Sequence, residues 1–231
     1  SLSGRAMIIG VDRLDYSKGI QNRLDAFERF LATYPEWRDN VTYLQITPKS
    51  RSEIPEYMQM ENSVTSTVGR VNGQYGEASW TPIRYVNRAH TRTALAGLYR
   101  AARAALVTPL RDGMNLVAKE YVAAQDAEDP GVLILSRFAG AAMECKPALL
   151  VNPYDTEAVA SAIHRALTMP LDERRARHNA LYDIISKNDI DTWPGRFLSV
   201  LTGAPTLDAA GAASVSPPRP MMLSSRRASS Q

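Results

Sequence analysis

Two continuous apolar runs, Ala6-Met7-Ile8-Ile9-Gly10-Val11 and Ala104-Ala105-Leu106-Val107, each lead through a polar turn into a segment of helical character. Neither run alternates with polar residues, which is the pattern of a strand buried on both faces. Strands of that kind sit in parallel sheets, and parallel neighbours must be joined by crossovers, usually helices. After the first run come Asp12-Arg13-Leu14-Asp15-Tyr16-Ser17-Lys18-Gly19, then Ile20, Leu24, Phe27, Phe30 and Leu31 at helical spacing. After the second come Thr108-Pro109-Leu110-Arg111-Asp112-Gly113-Met114-Asn115 and a helical stretch over residues 117–124.

The rest of the chain continues the alternation. Strands are predicted at 41–47, 83–86, 132–135 and 148–151, and helices at 53–71, 91–103, 156–167 and 171–201, the last with a break near Asn188-Asp189-Ile190-Asp191. Asn72-Gly73-Gln74-Tyr75-Gly76 has turn chemistry. The expected fold class is α/β, a Rossmann-like parallel sheet of about six strands flanked by helices. From Thr202 onward the chain is rich in Ala, Ser and Pro and has no period, so residues 202–231 are expected to form a disordered tail. Residues 1–201 form the expected folded domain.

Chemistry concentrates in the two loops. In open α/β sheets ligands bind at the carboxyl ends of the strands. A helix start presents backbone N–H groups that lack intrahelical partners, which suits an anion. Arg13 brings a fork for phosphate oxygens and Lys18 a mobile point charge, both in the first loop. In the second loop, Asp112 can accept from a hydroxyl, Gly113 permits a tight turn or close approach to a ligand, and the amides around Asn115, Leu116 and Val117 open the helix. Glu120 lies one turn on, along the face of Leu116, and can accept a pair of vicinal hydroxyls. Taken singly, each cation reads as a solvated surface charge. From spacing alone the second loop reads equally as a capped turn. Two cations in one strand-end loop, beside a second such loop, favour a pyrophosphate cradle.

Several segments also carry a resemblance: Val11-Asp12-Arg13-Leu14-Asp15-Tyr16-Ser17-Lys18-Gly19, Trp80-Thr81-Pro82, residues 107–121 from Val107 to Tyr121, and Val151-Asn152-Pro153-Tyr154-Asp155. From about Ala6 to Leu201 the chain closely resembles the trehalose-6-phosphate synthase family of retaining glycosyltransferases. That resemblance implies one half of a two-Rossmann-domain (GT-B) architecture, the nucleotide-sugar donor half. The N-terminal acceptor domain would be a separate or missing partner. Arg13 and Lys18 match the pair that contacts the donor diphosphate, and Asp112 the carboxylate that holds the transferred glucose; these three are the candidate catalytic residues. Gly113, Met114 and Asn115 match the turn lining the sugar pocket. Leu116 and Val117 match the amides on the diphosphate, and Glu120 the acid on the ribose. Arg51 matches the basic residue that reaches the acceptor phosphate. In His90-Thr91-Arg92 the base-recognition pattern is less regular.

The implied reaction moves glucose from a nucleotide-glucose, UDP-glucose favoured, to glucose 6-phosphate, giving trehalose 6-phosphate with retention. The isolated chain is expected to be inactive. The alternative is a non-catalytic sugar-nucleotide-binding or regulatory module acting with an N-terminal partner. Arg13, Lys18 and a helix start supply the charge a diphosphate needs, and neither strand-end loop carries an Asp-x-Asp or a His cluster that would bind a metal, so no metal and no cofactor are expected. A net charge of +3, scattered along the chain, argues against nucleic-acid or membrane partners. A single cysteine, Cys145, and the lack of a secretory signal or long apolar run fit the cytoplasm. The start at Ser1 suits a truncation. Trp193, Phe197, Leu198 and Leu201 form an apolar helix face able to pair with a second copy in a homo-oligomer. Trp80, His164, His178 and Cys145 read as structural, Glu144 as a helix cap, and Arg174-Arg175-Ala176-Arg177 as a solvated helix face.

Overall fold

The computed structural model describes residues 4–48 and 54–187, together with Leu198, Leu201 and Thr202. Six strands form one sheet: β1 (Ala6–Val11), β2 (Val41–Ile46), β3 (Ile83–Val86), β4 (Ala104–Val107), β5 (Val132–Ser136) and β6 (Leu149–Val151). Their order is β3-β2-β1-β4-β5-β6, and every pairing is parallel. Within the described residues up to Lys187, six helices connect or follow them: α1 (Ile20–Thr33), α2 (Pro55–Tyr75), α3 (Arg92–Ala101), α4 (Leu116–Ala124), α5 (Thr156–Thr168) and α6 (Leu171–Lys187).

Strand periodicity divides the core in two. Ile8 faces one layer, with Leu24, Phe27 and Phe30 of α1, Val64 and Val71 of α2, and Ile163 of α5. Met7 and Ile9 face the other, with Tyr99 of α3, Ala118 and Tyr121 of α4, and Leu181 of α6. Adjacent residues of one strand thus enter opposite cores, so β1 has no polar face to display. This is the doubly wound α/β arrangement. Its strand order runs outward in one direction from β1 and in the other from β4, so the loops after these two strands flank the crevice between them.

Two expectations are corrected. Helix α2 runs on through Asn72-Gly73-Gln74 to Tyr75, where turn chemistry suggested an end. The Asn72 side chain explains this: its amide donates to the Ile83 carbonyl and its oxygen accepts the Ile83 amide, both at 2.9 Å. That clamp fastens the last helical turn to β3. Second, the arginines of α6 are not simply solvated. Arg174 is buried, pairs with Asp129 at 2.6 Å and donates to the carbonyls of Pro130 and Met169. Arg175 bonds Glu128, and Arg177 bonds the Pro147 carbonyl at 2.7 Å. Together they staple α6 to the turns flanking β5 and β6.

The chain divides into two units, Ser1–Lys187 and Asn188–Gln231. In the second, Leu198 and Leu201 are exposed, and the Thr202 hydroxyl donates to the Leu198 carbonyl. Trp193, Phe197, the break near Asn188 and the tail from 203 lie outside the described residues, so the proposed domain boundary at 201 is not fixed by them. Among the described residues no helix is long and apolar enough to cross a membrane.

Candidate functional site

The first loop is shaped by its own side chains. Asp15 accepts from the Ser17 amide at 2.9 Å and the Ser17 hydroxyl at 2.7 Å, capping the 3-10 turn Tyr16–Lys18. Burial pushes the Asp15 carboxyl upward, but those bonds outweigh it and leave it below the usual carboxylate range. Gly19 then takes φ of 62° and starts α1. A side chain there would also press on the Thr108 carbonyl, at 2.9 Å. The tight junction between the loops therefore needs glycine.

The second loop is tied to the first by backbone. The Leu110 and Arg111 amides both donate to the Ser17 carbonyl, at 2.7 and 3.3 Å. Lys18 Nζ meets Asp112 Oδ2 at 2.7 Å, and Asn115 Nδ2 donates to that same oxygen at 2.8 Å. Asp112 Oδ1 accepts from the Gly113 amide. Asn115 also caps α4, accepting from the Ala118 amide at 3.1 Å. The Leu116 and Val117 amides are the first two of the helix and have no intrahelical acceptor.

A third strand-end loop braces the second. Asp112 N donates to the Phe138 carbonyl, Gly140 N to the Asp112 carbonyl, and Ala141 N to the Met114 carbonyl. Gly140 is required here, because a Cβ would collide with the Gly113 carbonyl. Lys119 and Glu144 close the brace with an ion pair at 2.5 Å.

The tight-turn reading of Gly113 needs correction. Its φ is not positive, and a Cβ added to it would meet nothing within 4 Å. The left-handed residue of this turn is Asn115, with φ of 65°. Asparagine tolerates that region and supplies the cap, so the special conformation falls two residues later than the glycine suggests.

Lys18, Asp112 and Asn115 are therefore brought into direct contact. Arg13 is exposed on the same loop as Lys18 and forms no ion pair among the described residues. Met114 and Leu116 are large apolar side chains left about half exposed at this edge. Val117 is half-buried, and Glu120 is exposed, receiving a 3.4 Å bond from the Tyr99 hydroxyl. Arg51 lies outside the described residues. Thr91 caps α3 through the Ala94 amide, and His90 is half-buried. Among the described residues no group of three or more His, Cys, Asp or Glu is placed to hold a metal ion.

The side chains read as structural behave so. Trp80 is buried and donates to the Val41 carbonyl at 2.7 Å, and His164 stacks on Tyr34 at 4.0 Å. His178 is buried with Nε2 at 3.2 Å from the Val122 carbonyl. Burial pushes the Cys145 thiol up, away from nucleophilic character.

One set of residues escaped the sequence reading. Asp12 and Arg23 form a fully buried ion pair at 2.7 Å directly beneath the two loops, joined by Gln45 and Thr108. Burial pushes the Asp12 carboxyl up, with Arg23 and Lys18 drawing it back. The available signal was Arg23 itself, a charge on the apolar face of α1 between Ile20 and Leu24.

A groove of about 680 Å³ runs beside edge strand β6, lined in part by Arg137, Arg165 and Arg177. It is distinct from the switch point, where the converging charges lie on an open face. Chemistry, rather than enclosed volume, locates the candidate site.

Comparison with known proteins agrees with this fold. Residues 1–203 match the model of glycosyltransferase family 20. A trehalose-6-phosphate synthase of Sinorhizobium fredii is 58% identical over 204 residues, covering 88% of this chain and 44% of that protein. An E. coli structure bound with UDP-2-fluoro glucose superposes with a TM-score of 0.84 at 50% identity, covering 87% of this chain and 44% of that one. An alpha,alpha-trehalose-phosphate synthase (UDP-forming) from Burkholderia xenovorans, in complex with glucose-6-phosphate, gives 0.85 at 49% identity, covering 87% and 45%. The chain spans less than half the length of these relatives. With its doubly wound sheet and its charged loops at the switch point, the chain belongs to glycosyltransferase family 20.

Proposed function

We propose that this chain forms the donor-binding wall of an enzyme that moves glucose from a nucleotide-glucose, UDP-glucose favoured, to glucose 6-phosphate with retention, giving trehalose 6-phosphate. The observation that carries the reading is the 2.7 Å contact of Lys18 with Asp112, which joins the two loops at the switch point. A diphosphate needs cations and free amides, a sugar needs a hydroxyl acceptor, and here they meet. The relatives solved with UDP-2-fluoro glucose and with glucose-6-phosphate support the substrate pair.

In this reading Arg13, Lys18 and the Leu116 and Val117 amides hold the diphosphate. Lys18 leaves Asp112 for the phosphate, and the freed carboxylate takes glucose hydroxyls, with Asn115 Nδ2 holding it in place. Met114 and Gly113 line the sugar, and Glu120 accepts from the ribose. As the bond from the anomeric carbon to the diphosphate oxygen breaks, negative charge grows on that oxygen. Preorganised donors there each contribute about 3 kcal/mol to transition-state stabilisation. The acceptor oxygen bonds to the anomeric carbon on the same face, and its proton passes to the leaving phosphate. Two cations and a helix terminus supply the charge, so the site works without a divalent metal or other cofactor.

The acceptor wall belongs to the part of the relatives that this chain does not span, with Arg51 reaching the acceptor phosphate. Transfer requires both reactants in register, so this chain alone binds donor and turns over little.

Calorimetric titration with UDP, UDP-glucose and GDP-glucose, with and without chelator, tests the reading. Saturable binding, tightest for UDP-glucose, unchanged by chelator and at least roughly tenfold weaker in Arg13→Ala is expected, about the loss of one charge-assisted contact. A folded chain that binds none of the three overturns it; binding abolished by chelator overturns the metal-free mechanism.

A further inference from the structure

The buried ion pair beneath the two loops is larger than stability requires. Arg23 is fully buried, and its guanidinium serves four acceptors in three segments at once. Nη1 donates to Asp12 Oδ2 at 2.7 Å, after β1, and to Gln45 Oε1 at 3.1 Å, on β2. Nε donates to Thr108 Oγ1 at 3.1 Å, after β4. Nη2 donates to the backbone carbonyl of Lys18 at 3.2 Å. Gln45 is itself held, by the Tyr43 hydroxyl and by Thr47 Oγ1 at 2.9 Å. Gly10 makes room: a Cβ there would lie 2.8 Å from Arg23 Nη1 and 2.5 Å from Gln45 Oε1.

Burying two charges costs several kcal/mol each before their attraction is counted, and apolar replacements of such pairs are often no less stable. Stability alone therefore gives no reason to keep this arrangement. Its geometry does, because the fork ends on the Lys18 backbone and on the strand-end residue that opens the Asp112 loop. The carbonyl of Ser17, one residue earlier, is held by the Leu110 and Arg111 amides. The loop bearing Lys18 is thus fixed from below by Arg23 and from the side by the Asp112 loop.

We propose that Arg23 is a positioning residue for donor binding: by holding the Lys18 carbonyl and Thr108 in one planar fork, it sets the register in which Lys18 and Asp112 meet a nucleoside diphosphate. Lysine cannot replace it, since one ammonium is a point donor and cannot span the four acceptors.

This rests on the donor-binding reading, so the test has one arm with nucleotide and one without. In the first, UDP is titrated calorimetrically into wild type, Arg23→Lys, Lys18→Ala and the double variant. Arg23→Lys keeps a charge for Asp12 and should melt cooperatively, yet bind UDP roughly tenfold more weakly. In its background Lys18→Ala should cost little more, because the ammonium is already out of register. Wild-type affinity in Arg23→Lys, or an equal Lys18→Ala loss in both backgrounds, overturns the proposal. In the second arm, the Lys18 ammonium is followed by proton–nitrogen NMR without ligand. Pairing with Asp112 slows its exchange; the signal should weaken in Arg23→Lys and in Asp112→Asn alike. A signal unchanged in Arg23→Lys overturns the proposal. Should wild type bind no UDP, the donor reading fails on its own and this second arm still judges Arg23. If Arg23→Lys does not fold, the neutral pair Asp12→Asn with Arg23→Gln takes its place with the same outcomes.

Discussion

Lys18 and Asp112 neutralise each other at 2.7 Å, so the ligand-free site keeps its most reactive charges partnered. The pair is partly buried but still reached by solvent, and a diphosphate with two or more charges can replace the carboxylate as the partner of Lys18. That predicts an asymmetry in Asp112→Asn. Lys18 then has no carboxylate to leave, so affinity for UDP should hold or rise. UDP-glucose should lose roughly tenfold relative to UDP, the value of about one charge-assisted hydrogen bond to the sugar. Parallel titrations of the two ligands check this; an equal fall for both would place Asp112 on the diphosphate instead. Residues of this kind were legible in the sequence because a short loop at a strand end has few roles for charge. Arg23 was not, since its partner Thr108 lies 85 positions away. A buried charge becomes intelligible only when its acceptors are assembled.

At the scale of elements, helix ends rest on single side chains. Asn72→Ala removes both bonds to Ile83 and should cost about 1–3 kcal/mol, with faster amide exchange over the last turn of α2 and at β3. A drop in melting temperature without local exchange would contradict that. The α6 staple carries a pH signature. The hydrogen bond from Arg174, followed by the charges of Arg103 and Arg174, holds the Asp129 carboxyl below the usual carboxylate range. A depressed folded-state value means stabilisation fully present above the unfolded value of about 3.9 and lost as pH falls through the folded value. Asp129 is 59% exposed, so the term is at most about 1 kcal/mol. Denaturant midpoints of Asp129→Asn should therefore lie below wild type at pH 7 and converge with it on acidification; a constant gap would exclude the linkage. Strands were read closely because burial on both faces leaves an unbroken apolar run. The end of α2 was misread because Asn-Gly marks a turn only where nothing fastens the helix beyond it.

For the whole molecule, the doubly wound order places both loops on one crevice, and a ligand held by both should stabilise the folded chain. At UDP a hundredfold above its dissociation constant, mass action adds about 2.7 kcal/mol, visible as a rise in melting temperature that chelator leaves unchanged. No rise at saturating UDP would contradict binding to the native state. In the proposed donor-wall reading, the exposed apolar side chains of Met114 and Leu116 would face the acceptor wall.

By itself the sequence determined the class of fold, the positions of the strands and the two loops in which charge gathers at strand ends. Those follow from local pattern, burial on both faces of a sheet and the chemistry of helix starts, which depend on neighbours within a few residues. Only the tertiary structure decided that β1 and β4 lie side by side, that Asn115 rather than Gly113 takes the left-handed turn, and that Arg23 binds the loops from beneath. Each depends on contacts between segments far apart in the chain. Hydrogen-bond geometry and excluded volume act on those contacts only once the segments are packed.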